Sequence, residues 1–449
     1  MHSIPRAGIG ETAAFLMDVF IPTAAKGPLI RRPRVEALAE RLGLDRRAVA
    51  RMQKLDAKYP AGPLLLRLPF RKQAVVLRPD QLHRALAESP DPVSPASSEK
   101  RGALAHFEPR NVLVSTGTDR TLRRALQEQA LDTASPVHRF ADSFLPVLEE
   151  EADALLLAAM ADGGPAEGTL DWPLFTAAWH RAVRRVVFGD AAREDVELTD
   201  MLARLRKDAN WSGLKPRRRS VRTEFLGRVR AGIDAAPPGT LASALRGRPD
   251  SDQSAPSDQV PQWLFAFEPA GMAAFRTLAL LASHPGHAAR AREEVAADQS
   301  GGRNLPFLRA CVLESLRLWP TTPMILRQTT REVAWENGTM PARGGVLVFA
   351  PYFHRDGRRL TQADSFDPGL WLQHDEARPG EPEDWGVVPF SDGPARCPGR
   401  QLVLLLTSAL LARLLQDSTF TLESHRLSPD RPLPGTLNHF GLRFRVSPA

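Results

Sequence analysis

Apolar residues in this chain recur mostly at three- and four-residue spacing. Val35, Leu38, Leu42 and Leu44 lie among Arg and Glu and predict a helix over residues 34–59. Two short apolar runs follow, Leu64–Leu68 and Ala74–Leu77, separated by Pro69, Arg71 and Lys72; they read as a hairpin. A helix is expected from Pro79 to Ala87, and the Pro/Ser-rich residues 89–100 predict irregular structure. Helical spacing returns over Thr118–Leu131. It continues through Ser135–Phe225, with breaks at Gly163-Gly164-Pro165, Gly189-Asp190 and Trp211–Pro216. Residues 236–259, rich in Pro, Ser, Asp and Gly, predict a long loop.

Three helices should follow, Val260–His284, His287–Ala297 and Leu305–Leu318, the last stopping before Pro320. Short strands are expected at Ile325–Gln328, Glu332–Trp335 and Val346–Ala350, then an irregular stretch over 351–396. An apolar helix should run from just after Cys397 to about residue 415, with late strands near Phe420 and Leu442. No internal repeat is visible. The fold class expected is mainly α with small β-sheets. Residues 1–30 read as an N-terminal extension and 31–449 as one domain.

Composition narrows the function classes. The chain is 43% hydrophobic and 25% charged, ordinary for a globular protein with a large core. Its formal charge of +7 comes from arginines scattered end to end rather than from one stripe with interleaved aromatics, which argues against nucleic-acid binding. Two cysteines, Cys311 and Cys397, make neither a disulfide framework nor a zinc pattern. Cys311 reads as a small core residue. Asp18 and Pro22 interrupt the apolar residues near the N-terminus, and the run Leu402–Leu415 is too short to span a bilayer. A cytoplasmic protein is expected.

Cys397 stands out. It lies in a Pro- and Gly-punctuated loop directly before an apolar helix, where the helix dipole and exposed N–H groups would lower a thiol pKa. Phe390, Gly393 and Gly399 stand seven before, four before and two after it. Glu314-Ser315-Leu316-Arg317, with Pro320 following, lies about 80 residues earlier. Together these residues resemble the haem-binding loop and Glu-x-x-Arg helix of the cytochrome P450 superfamily, over roughly residues 30–445. The resemblance implies the P450 fold of a soluble bacterial type, with haem b held between the long central helix and the Cys-loop helix.

It further implies Cys397 as the axial thiolate, Phe390 and Gly399 shaping the loop, and Glu314 and Arg317 as a structural pair. Arg327 and Arg123 fall where the family places propionate-binding arginines, and Arg396 adjoins the ligand. Ser365-Phe366-Asp367-Pro368 resembles the segment that packs on the Glu-Arg pair. Trp263, Trp319, Trp371 and Trp385 are expected in the core. Ala270 and Gly271 match the small residues over the haem.

Five positions depart from the family pattern. The acid and alcohol that usually deliver protons are Ala273 and Ala274, with Glu268 and Thr277 as possible substitutes. Asp119 stands for a His, Ala395 for a basic residue, and Leu370 for the Arg that completes the Glu-Arg network. The function implied is a haem-thiolate monooxygenase oxidising (hydroxylating or similar) a small organic molecule in specialised metabolism. Its electrons would come from a ferredoxin and ferredoxin reductase. The missing acid-alcohol pair leaves two alternatives. One is a peroxide-driven or oxygen-independent enzyme (peroxygenase, isomerase or dehydratase); the other is a non-catalytic haem-binding accessory protein.

Overall fold

The computed structural model describes residues 4–161, 167–372 and 386–449; Trp385 lies outside them. The first thirty residues are not loosely appended. A helix runs through Ile9–Phe15, a π turn over Leu16–Phe20, and Ile21–Ala25, and it buries Phe15 and Val19. The Ala7 N–H donates to Leu65 O (2.9 Å), and the Leu65 N–H donates to Pro5 O (2.8 Å), tying this stretch to the first strand. Residues 34–59 form two helices, Pro33–Leu42 and Leu44–Lys58, not one. Gly43 between them has φ 60°, which a glycine adopts without strain. The turn resets the helical phase, so Leu38 and Leu42 are exposed and Ala39, Ala48, Met52 and Leu55 form the buried face.

A five-stranded sheet has the order Leu64–Leu68, Arg71–Val75, Gly345–Phe349, Met324–Thr329, Val93–Ser94. The first two form the expected antiparallel hairpin, Leu64 opposite Val75. Val93–Ser94 lies inside the stretch expected to be irregular. Its pairing with Gln328 and Thr329 is made by backbone alone, so composition does not reveal it. Gly168–Asp171, read as helical, is a strand paired with Arg443–Pro448. It ends where Asp171 Oδ1 caps the next helix by accepting from the Leu174 N–H (3.0 Å). Val333–Trp335 pairs with Gly338–Met340, a strand absent from the sequence reading.

The helical body surrounds Val260–Ser283, which packs against Trp172–Phe188, Pro306–Leu318 and Arg400–Gln416. Pro256–Ser283 is long and apolar enough to cross a bilayer, more so than Leu402–Leu415, but 78% of its most apolar window is buried. It is a core helix. Arg400–Gln416 is apolar on nearly all sides because it is enclosed by neighbouring helices.

The chain also closes on itself. Asp45 accepts from Lys26 Nζ (2.7 Å) and Thr436 Oγ1 (2.5 Å), and Glu40 accepts from the Asn438 N–H (3.0 Å).

Candidate functional site

The Cys397 loop is built from close backbone contacts. The Ser391 N–H donates to Val388 O (3.0 Å), the Arg396 N–H to Gly393 O (2.9 Å) and the Cys397 N–H to Phe390 O (3.0 Å). Gly393 has φ 65°, and a β-carbon there would meet Leu86 O at 2.3 Å, so the loop can approach Pro79–Ala87 only through a glycine. Thr133 Oγ1 donates to Pro398 O (2.8 Å) and Arg124 Nη1 to Arg396 O (2.8 Å), fixing the loop from the side. Gly399 leads into Arg400–Gln416, as expected.

The thiol itself differs from expectation. Burial pushes the Cys397 pKa up, and this outweighs the Gly399 N–H and the charges of Arg124, Arg400 and Arg396 that pull it down. Desolvation beats the helix mouth here. Yet the residue is only half-buried by accessible surface.

Glu314 and Arg317 form a fully buried pair, with Arg317 Nη2 donating to Glu314 Oε1 (2.6 Å) and Nε to Oε2 (2.8 Å). Arg317 also donates to the carbonyls of His354 (2.9 Å), Gln362 (3.0 Å), Ala363 (3.0 Å) and Ser365 (2.9 Å). Glu314 receives the Asp367 N–H (3.0 Å) and the Trp371 indole N–H (2.9 Å). The Arg missing at Leu370 is therefore answered by the indole of the next residue. His354, assigned no chemistry from sequence, is a second brace. The Val388 N–H donates to its Nε2 (2.9 Å), leaving Nδ1–H to face Arg317 O (3.3 Å). Burial, with Arg317 nearby, lowers its pKa to about 3, so the ring is neutral.

A second constellation is cationic. Arg327 is buried and donates only to neutral oxygens, Ser89 Oγ, Leu326 O and Ser391 Oγ, each at 3.2 Å. Arg120 is buried and donates to Val112 O (2.9 Å). Lys100 Nζ donates to Leu326 O (3.2 Å). Burial lowers the pKa of Arg120 and of Arg327 to about 10, and that of Lys100 well below its usual value; each is depressed further by another cation. Among the described residues no carboxylate hydrogen-bonds any of the three. Buried cations without a counter-ion are costly, and a group bringing two carboxylates, as haem does, fits them.

Arg123, expected in this role, is turned away. It donates to Ser115 Oγ (2.6 Å) and to the carbonyls of Asp252 and Gln253, and pairs with Asp119 (3.4 Å). Arg396 is exposed rather than part of the cluster. Sequence reasoning missed Arg120, Lys100, His354 and Trp371. The visible signal for Arg120 was its place in a run with Arg123 and Arg124.

On the central helix Ala270, Ala273 and Ala274 are buried. Gly271 faces Trp179, whose ring would lie 2.7 Å from an added β-carbon, so its smallness serves helix packing. Trp179 Nε1 donates to Phe267 O (2.6 Å). Neither candidate substitute is available. Glu268 is ion-paired to Arg206. Thr277 Oγ1 donates to Ala273 O (2.8 Å), which also accepts from Ser315 Oγ (3.1 Å).

A family model described as cytochrome P450 matches residues 267–441. Trans-cinnamate 4-monooxygenase of Oryza sativa subsp. japonica is 30% identical over 148 residues, 31% of this chain and 30% of that protein. Beta-amyrin 24-hydroxylase of Glycine max is 31% identical over 154 residues, 31% of this chain and 30% of that protein. The matched stretches thus span less than a third of these relatives' lengths. Among solved structures, one titled as a crystal structure of a cytochrome P450 covers 100% of this chain and 99% of its own, with TM-score 0.72 and 18% identity. A retinoic-acid-bound cyanobacterial structure covers 88% of this chain and 94% of its own, with TM-score 0.68 and 19% identity. At these identities the structures establish a common fold.

Proposed function

Because the chain belongs to the cytochrome P450 superfamily, whose members bind haem through a cysteine thiolate, we propose that it is a haem-thiolate oxidoreductase with Cys397 as axial ligand. The activity proposed is mono-oxygenation of a small organic molecule, in the cytoplasm and within specialised metabolism. Electrons would come from a ferredoxin and its reductase. Bound haem would supply a redox-active iron whose reactivity the thiolate tunes. The observation that carries the reading is the joint presence of the Cys397 loop and the buried Arg120 and Arg327, to which no acid among the described residues hydrogen-bonds.

The chain's residues divide the remaining tasks. Arg327 and Arg120 would hold the two propionates, their planar forks suiting carboxylates. Glu314, Arg317, His354 and Trp371 keep residues 354–371 and Val388 in place, and Val388 leads into the loop that presents the sulfur. The Gly399 N–H points at the sulfur and offsets part of its desolvation. Exposed Arg396 and its neighbour Arg400 give the loop's outer face a positive charge suited to an acidic electron donor.

A peroxide-driven or oxygen-independent reaction is the second reading, favoured by one observation. Ala273 and Ala274 carry no proton, Glu268 is tied to Arg206, and the Thr277 hydroxyl is tied to Ala273 O. Turnover that requires both a redox partner and dioxygen, with none on hydrogen peroxide, removes it.

The primary reading is tested by absorption of the reduced protein under carbon monoxide. Wild type should show the band of thiolate-ligated haem, and Cys397→Ala should lose it. A wild-type protein without that band overturns the assignment.

A further inference from the structure

A cavity of about 400 Å³ opens where the start of the helix Pro285–Ala297 meets Ser365-Phe366 and residues 428–433. It shares no residue with the Cys397 loop or with Lys100, Arg120 and Arg327. His284, His287 and Phe366 form an aromatic wall; the Phe366 centroid lies 5.2 Å from that of His284 and 5.1 Å from that of His287. His284 is 4% exposed, and its Nδ1–H donates to Leu280 O (2.7 Å). Burial lowers its pKa, so the ring is neutral and Nε2 is a bare acceptor. Nδ1 is turned back to the preceding helix, so the ring edge left to the cavity carries Nε2, which has no partner among the described residues.

Donors line the same space. Gly286 and His287 lie in the first turn of Pro285–Ala297, and their N–H groups have no acceptor among the described residues; the first N–H to find one is that of Ala288, to His284 O (3.0 Å). Arg431 is exposed and has no carboxylate partner among the described residues, and no carboxylate lines the cavity. A buried acceptor without a donor is costly, and it sits here beside the positive end of a helix and a free guanidinium.

We propose that this cavity is a second ligand site, apart from the haem, and that it binds a phosphomonoester carried on a planar ring, such as a nucleoside monophosphate. The helix start and Arg431 take the oxyanion. His284 Nε2 accepts the hydroxyl of the monoprotonated phosphate, a form still populated near neutral pH because the second pKa is about 6. A carboxylate has no hydroxyl to give there. The ring lies against the aromatic wall. The volume is that of a small-molecule site, of which a bare phosphate would fill only a small part.

The test is isothermal titration calorimetry of the purified holoprotein at about pH 6.5, in a buffer free of phosphate. The ligands are phenyl phosphate and adenosine 5′-monophosphate, beside phenol and adenosine, which lack the anion, inorganic phosphate, which lacks the ring, and benzoate, which lacks the hydroxyl. At least one phosphomonoester should bind about tenfold more tightly than each of its comparators, as expected for a charged hydrogen bond. Arg431→Met, a change at the surface, should weaken that binding about tenfold. His284→Asn keeps a donor for Leu280 O and removes the acceptor, and should also weaken it about tenfold. No heat from either phosphomonoester at about 1 mM, benzoate or inorganic phosphate binding as tightly, or full affinity in either variant would each overturn the proposal. Should His284→Asn fail to fold, Arg431→Met decides alone. The carbon monoxide band is read on the same samples. Its absence removes the haem-thiolate reading, whereas a normal band without phosphomonoester binding removes only this inference.

Discussion

Arg120 and Arg123 lie three positions apart on one helix and have different partners. Arg123 ties the helix to residues 252–253 and to Ser115, while Arg120 has a single carbonyl. Arg120→Met should therefore speed haem transfer to apomyoglobin about tenfold, the loss of one charged hydrogen bond. Arg123→Met should leave that rate unchanged and lower unfolding stability by about 1.5–3 kcal/mol instead. Equal haem-transfer rates in the two variants would count against the assignment. Sequence could not separate them, because Arg120, Arg123 and Arg124 lie within about one turn and spacing does not say which points inward. Cys397, Glu314 and Arg317 were legible because their chemistry depends on short-range spacing. Lys100 and Trp371 were not, because their partners lie 226 and 57 residues away.

At the scale of elements, residues 354–371 are tied to the Glu-Arg helix by side chains. Arg317 alone donates to four of their carbonyls, and the indole of Trp371 donates to Glu314. Trp371→Phe keeps an aromatic ring but removes the indole N–H that Glu314 accepts, so it should cost about 1.5–3 kcal/mol in urea unfolding. Arg317→Met strands a buried carboxylate and should cost about 3–5 kcal/mol. A neutral Trp371→Phe would show that the indole only fills space. The long helices were legible from periodicity, because the main core is assembled from their apolar faces. Val93–Ser94, Gly168–Asp171 and Gly338–Met340 were not, because two to four residues are too few to show a period and their pairing is fixed by the strands they meet.

For the whole molecule, acid should be the weak side. His106, His138, His284, His354 and His439 are buried, and burial lowers the pKa of each. The unfolded chain takes up protons below about pH 6.5 that the fold refuses, so stability is present above that pH and falls as pH drops. His354, with its pKa lowered to about 3, extends the window down to that pH. Its share has a slope of up to about 1.4 kcal/mol per pH unit. Denaturant midpoints measured at pH 7, 5 and 4 should fall in that order, and less steeply in His354→Gln.

The bonds from Glu40 and Asp45 to Asn438 and Thr436 span almost the entire chain. Chain order is also the order of synthesis, so the helices over residues 33–58 leave the ribosome nearly four hundred residues before the groups that complete them. During that interval Asp45 has Lys26 but not Thr436, and the early helices depend on nearby contacts or a chaperone. A stalled nascent chain ending at residue 430 should be cut by protease within residues 26–58, whereas the released full chain should resist.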